Sequence, residues 1–270
     1  MLKRYIGDRA FYRRVLGVAV PIIIQNGITN FVSLLDNIMV GQVGTVPMSG
    51  VSIVNGILFV FNLCIFGASS GAGIFTAQFY GSDDHEGIRH TFRFKLLTSI
   101  LLSALGVGIF LAGGRGLIGL YLQGEGDAQA AAEVMEYGLR YMHVMLWGFL
   151  PFALSNAYSS TLRETGQTFI PMVAGISAVL VNLCLNYVLI FGHFGAPAMG
   201  VEGAALATVI AKALPALVAI YLLCRQQEAM RLDLTMMKPE KAMIQEVVRI
   251  GLPTALGSSA FQLGFLLMST

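Results

Sequence analysis

The 270-residue chain is 56% hydrophobic, only 12% of its residues are Asp, Glu, Lys or Arg, and its mean hydropathy is +0.72. Soluble domains carry about a quarter charged residues, so this composition argues against a water-soluble globular domain. The net charge of +2 decides nothing by its size, but the charges are clustered, and the apolar runs between clusters reach the roughly 20 residues that a membrane helix needs.

Six complete spans are expected, at about 15–40, 50–78, 95–114, 131–156, 168–191 and 201–224, and a seventh opens near Val247 and is still running at Thr270. The runs are twice the length of a barrel strand and do not alternate. They are therefore read as helices, which satisfy their own backbone groups in lipid. The expected fold class is an all-α integral membrane protein, a six-helix transmembrane bundle followed by the start of a seventh helix.

In chain order, the first span carries Asn26, Thr29, Asn30, Ser33, Asp36 and Asn37. At about 100° per residue these fall in a sector of roughly 120°, and the rest of the helix is aliphatic or aromatic. A polar stripe on a membrane helix faces other helices or water, and an ionisable residue within a span is a functional candidate. Asp36 is that residue; the competing reading is an interfacial helix cap. The second span holds Asn55 and Asn62 and a small-residue face of Gly67, Gly71 and Gly73, which is a packing feature. The fourth carries Asn156, with Arg140 and His143 near its outer end. The fifth carries Asn182 and Asn186, one turn apart on one face. The sixth begins with Glu202, where a carboxylate suits a helix N-terminus, and carries Thr208 and Lys212, again one turn apart.

Singly, such asparagines and threonines serve as interhelical hydrogen-bond partners. Together, Asp36, Asn156, Asn182, Asn186 and Thr208 offer a carboxylate, amide oxygens and a hydroxyl, which suits a hard cation such as sodium or a titrating proton site. Asn26, Asn30, Ser33 and Lys212 are candidates to line the same cleft. Lys212 pairs with Asp36, binds an anionic group or snorkels; snorkelling is awkward so far from the end of the span.

Charge placement gives topology. Lys3, Arg4, Arg9, Arg13 and Arg14 precede the first span. Arg89, Arg93 and Lys95 lie in the second–third connection, Arg163 in the fourth–fifth, and Arg225, Arg231, Lys238, Lys241 and Arg249 in the sixth–seventh. The other side holds only Arg115 and Arg140. Basic residues collect on the cytoplasmic side, so the N-terminus is expected to be cytoplasmic in a plasma membrane. The polar stretch 225–246 reads as a cytoplasmic connector between two lobes. It divides an amino-terminal lobe, 1–224, from the start of a truncated second lobe, 247–270. Ile250-Gly251-Leu252-Pro253 echoes Leu16 to Pro21, as internal repeats in transporters do.

Enzymatic readings lose ground. The chain has no Walker A sequence, no Ser/His/Asp grouping and no HExxH. Cys64, Cys184 and Cys224 are isolated in apolar runs, which suggests packing residues and neither disulfide nor zinc. No cofactor, resident metal or nucleic-acid partner is expected; the partners are membrane lipid and a transported small molecule.

The residues also resemble a known family. Pro21 through Asp36-Asn37-Ile38-Met39-Val40-Gly41, Ala77-Gln78-Phe79-Tyr80-Gly81, Leu162-Arg163-Glu164-Thr165-Gly166 with Pro171-Met172, Asn182-Leu183-Cys184-Leu185-Asn186-Tyr187 and Gly203 to Thr208 stand in the order and spacing of the amino-terminal half of a MATE (multidrug and toxic compound extrusion) transporter. The resemblance implies a twelve-helix protein of two pseudo-symmetric lobes, of which the carboxy-terminal lobe is missing here. It implies secondary active efflux of cationic or amphipathic drug-like compounds in antiport with sodium or protons. The family's cation site falls on Asp36, Asn182 and Thr208, with Asn156 nearby; Asn186 departs from the acid some members carry. A flippase for a lipid-linked glycan shares the architecture, and a non-transporting membrane fragment is the third reading. Residues 1–270 alone are expected to insert without transporting.

Overall fold

The computed structural model describes residues 8–123 and 128–225, so the connector at 226–246 and the seventh helix lie outside the described residues. The elements in order are α1 (Arg9–Gly41), α2 (Thr45–Gly81), α3 (His85–Tyr121), α4 (Ala128–Leu146), α5 (Phe149–Glu164), α6 (Phe169–Phe191), a 3-10 turn at His193–Gly195 and α7 (Val201–Arg225). No strand occurs among the described residues, as an all-α membrane bundle requires. Five helices, α1, α2, α3, α6 and α7, are long and apolar enough to cross a bilayer.

Three expectations are corrected. The 131–156 span is not one helix but two, because the chain breaks at Trp147 and Gly148. Gly148 is a weak helix former, and Pro151, three residues on, has no N–H to give the preceding turn. The end of α4 tightens: the Trp147 N–H donates to Val144 O at 3.2 Å and the Gly148 N–H to Met145 O at 2.9 Å. Trp147 is left 81% exposed at the break, outside the bundle.

The second correction concerns α3. It has 37 residues, about 55 Å of helix against a hydrocarbon core of about 30 Å. The link from α2 is therefore only residues 82–84, and Arg89, Arg93 and Lys95 are helical. Lys95 is fully buried and paired with Glu164 at the end of α5; its ammonium also donates to Thr161 Oγ1 at 3.3 Å and Ser160 Oγ at 3.4 Å. Cys64 and Cys184 are free thiols exposed on the outside of the helices, so they do not pack the core as the sequence suggested.

Prolines need compensation inside helices. Pro21 cannot donate to Gly17 O, and the Thr168 hydroxyl approaches that carbonyl from the start of α6 at 3.4 Å. This substitution helps hold α1 along α6, its main neighbour.

α2 is the centre of the bundle, with α3, α4 and α5 packed on it, and α7 lies against α4, α5 and α6. Lipid is as apolar as leucine, so close packing has to supply the attraction. Phe61 and Phe149 stack at 4.0 Å, with Phe110 edge-on to both at 6.2 and 5.5 Å. Gly106 leaves the room that the Phe61 ring occupies. Where α2 crosses α4, a Cβ on Gly50 would stand 2.9 Å from the backbone of both Val134 and Gly138.

Gly50→Leu therefore forces α2 from α4, and the protein in detergent should unfold several degrees lower or fail to accumulate; an unchanged melting midpoint would show that the crossing is looser than described. Glu164→Gln strands a buried ammonium and should cost about 3–5 kcal/mol. The apolar pair Lys95→Met with Glu164→Met should recover most of that loss in the same denaturation assay.

Candidate functional site

Where α1, α5, α6 and α7 diverge, they enclose a cavity of about 460 Å³, with Phe66 of α2 on its wall. α1 contributes Gln25, Asn26, Thr29, Val32, Ser33 and Asp36. That sector is turned about 40° from the centre of the polar stripe, so the stripe was legible but slightly misaimed. Asn26 and Ser33 line the cavity as expected; Asn30 and Asn37 are exposed and do not. The hydroxyls of Thr29 and Ser33 donate back to Gln25 O at 2.8 Å and Thr29 O at 2.9 Å, which satisfies them within the helix.

Asp36 closes one end. Its Oδ1 accepts from Asn186 Nδ2 at 2.7 Å. With the Asn182 amide nitrogen turned toward the carboxylate, it donates to Oδ2 at 2.9 Å and Oδ1 at 3.2 Å, and its oxygen accepts from the Thr208 backbone N–H at 3.2 Å. α6 thus delivers two amides one turn apart to a single acid, as their spacing predicted, and Thr208 of α7 backs them. Asn186 is 1% exposed and its Oδ1 has no hydrogen-bond partner. Asn186 is not on the cavity wall; the Asp36 carboxylate, the Asn182 amide and the Thr208 hydroxyl are, and oxygen donors of this kind fit a hard cation. Among the described residues no group of three or more His, Cys, Asp or Glu forms, so one negative charge is all the cluster offers.

Asn156 lines the same cavity, but its amide donates to Ser69 Oγ on α2 at 2.9 Å and does not join the Asp36 hydrogen bonds. Lys212 lines the wall one turn along α7 from Thr208, its ammonium 5.0 Å from the Phe152 ring centroid. The far end, about 16 Å along α1 from Asp36, is closed by Gln25, whose Oε1 accepts from Arg163 Nη2 at 3.0 Å. Gln25 lies over Gly175, where a side chain would collide with it. Gln25, Phe152 and Arg163 were missed from sequence. Gln25 adjoins the stripe but lies just outside its sector, and Arg163 reads as an ordinary loop cation until the helix is seen to reach 164.

The chain is similar to known proteins. A family profile described as MatE matches residues 21–188. The probable multidrug resistance protein NorM of Thermotoga maritima is 27% identical over 261 residues, covering 95% of this chain and 54% of that protein. The multidrug resistance protein PmpM of Pseudomonas aeruginosa is 28% identical over 207 residues, covering 77% and 42%. An outward-facing multidrug resistance MATE family transporter of the MOP superfamily superposes with a TM-score of 0.82 at 21% identity, covering 94% of this chain and 54% of that one. The chain spans about half the length of the curated relatives it matches.

The Asp36–Asn186 contact is testable as a coupling. A hydrogen bond to a charged group contributes about 1.5–3 kcal/mol. Asn186→Ala should lower stability by that order in the native background and by much less beside Asp36→Asn. A double-mutant cycle on detergent melting curves measures the difference; additive losses would mean the two side chains do not interact.

Proposed function

Because the chain belongs to the MatE family, we propose that it forms one lobe of a secondary active multidrug exporter, moving cationic or amphipathic drug-like compounds in antiport with sodium or protons. The observation that carries this reading is Asp36, the one acid on the cavity wall, held by two asparagine amides. A carboxylate there takes up a cation or a proton on one side of the membrane and gives it up on the other. The five apolar helices make the chain a multi-pass membrane protein. We place it in the plasma membrane with its N-terminus in the cytoplasm, from the skew of basic residues.

Alternating access works by one bundle rocking against another around a shared site. The relatives extend about as far again as this chain, and a carboxy-terminal lobe of that length is the partner the reading requires. Several helices present large apolar side chains outward, Phe31, Leu34, Leu101 and Ile109 among them, which suits contact with lipid. A flippase for a lipid-linked glycan needs a dense run of cations for a diphosphate, and here two cations share the wall with an acid.

In proteoliposomes holding this chain together with the carboxy-terminal lobe the reading requires, Asp36→Asn should abolish gradient-driven efflux of a fluorescent dye while leaving insertion intact. Asn182→Ala should slow it less, since it removes a neutral ligand. Imposing sodium and pH gradients separately identifies the coupling ion. Wild-type rates in well-inserted Asp36→Asn protein would remove the carboxylate from the mechanism.

A further inference from the structure

We propose that Lys212 is an anion-recognition point in this cavity, selecting aromatic compounds that carry a carboxylate or comparable oxyanion; this rests on the reading of the cavity as a substrate site. Three ionisable residues line the wall: Asp36, Lys212 and Arg163. They differ in how far their hydrogen bonding is met. The carboxylate of Asp36 is held by Asn186 and Asn182. No carboxylate or hydrogen-bond acceptor among the described residues reaches the ammonium of Lys212; its neighbour is the Phe152 ring. Arg163 gives one nitrogen to Gln25, while its Nε is buried without a partner. Glu164, next along the chain, is engaged by Lys95.

The Lys212 ammonium lines the cavity with no ion-pair partner among the described residues, and a cation–π contact contributes only about 0.5–2 kcal/mol, so a charge on a bound molecule is the counter-ion it lacks. The stem of Lys212 lies where α4 and α5 break: a Cβ on Gly148 would stand 3.6 Å from its Cδ and 3.2 Å from Val209. The stem therefore packs at van der Waals distance against the start of α5, with the ammonium over Phe152. Phe152 meets Phe66 edge-to-face at 5.8 Å and 85°, and both rings line the cavity. A cation beside two aromatic rings fits a molecule with a flat apolar body and one oxyanion. Arg163 lines the same space from the far end. Lys212 is one turn from Thr208, about 6 Å along α7, so an anion held there leaves the Asp36 cluster clear.

The test uses three matched probes that share a dansyl ring: dansylglycine (anionic), dansylglycinamide (neutral) and dansylcadaverine (cationic). Their fluorescence is titrated with the protein in phosphatidylcholine nanodiscs, with no ion gradient. The wild type should bind dansylglycine more tightly than dansylglycinamide. Lys212→Gln should weaken dansylglycine by about tenfold or more and leave dansylcadaverine unchanged or tighter; Lys212→Arg should restore preference for the anion. Equal affinities for the three probes in the wild type, or an equal loss for all three in Lys212→Gln beside a wild-type-like Lys212→Arg, would overturn the proposal. Adding phosphatidylglycerol to the nanodiscs separates the two sources of oxyanion. Displacement of dansylglycine at lipid fractions that leave dansylcadaverine bound would assign Lys212 to a lipid headgroup and overturn the small-molecule reading. Because binding is read without a gradient, charge-selective binding with no flux sinks only the efflux reading, and flux with charge-blind binding sinks only this one.

Discussion

Everything in this bundle depends on the rule that a polar group in lipid has to find its partner inside the protein. The buried polar residues obey it by gathering. Lys95 and Glu164 pair with Thr161 and Ser160 beside them and tie α3 to the end of α5. Thr76 of α2 donates to Thr91 of α3 at 3.0 Å. Asp36, Asn182, Asn186 and Thr208 join α1, α6 and α7. Even the carbonyl freed by Pro21 is reached, by Thr168. Against that background Asn186 Oδ1 and Arg163 Nε, buried without a partner, and the Lys212 ammonium, set over the Phe152 ring, stand out. Asn186 belongs to the Asp36 cluster at one end of the cavity, and the other two line its wall.

Much of this was legible in the sequence because membrane helices write their contacts as periodicity. The stripe on α1 and the pairs Asn182/Asn186 and Thr208/Lys212 placed the polar faces of three helices with no structure at hand, and those helices enclose the cavity. The stripe's error is instructive. Asn30 and Asn37 share its sector but face outward, because periodicity locates a face without locating the neighbour across it. Gln25 lay outside the counted sector and is in the wall. Asn156 belonged to the right cavity, yet its amide is committed to Ser69, a partner 87 residues away that no local pattern reveals.

What hydropathy misread was chain geometry rather than composition. A sliding apolar window sees one span at 131–156, since neither Gly148 nor Pro151 lowers hydropathy enough to end it. Both act through the backbone, one by its freedom and one by its missing donor. The same window ended the third span at its first charges, so Lys95 looked like a loop residue. A lysine can be wholly buried in a helix only where a partner meets it, and that partner, Glu164, lies 69 residues on. Long-range pairing of this kind is set by tertiary packing and leaves no local trace.

The break at Gly148 also links the two halves of the cavity's chemistry. The Lys212 stem packs against the backbone at this break, 3.6 Å from where a Cβ on Gly148 would stand, while its register to Thr208 is set by α7. Both the hydroxyl backing the Asp36 cluster and the cation facing the aromatic pair thus project from adjacent turns of one helix. Pro215, a further wall residue, has no N–H for the carbonyl of Ala211, which lies between them. α7 therefore lacks one internal hydrogen bond in the stretch that carries both groups. A shift of this stretch on binding at Lys212 would move Thr208 with it, and so alter the oxygens around Asp36. On the reading proposed above, ion and substrate sites have to sense each other, and the single turn of α7 from Thr208 to Lys212 is the shortest covalent path between them.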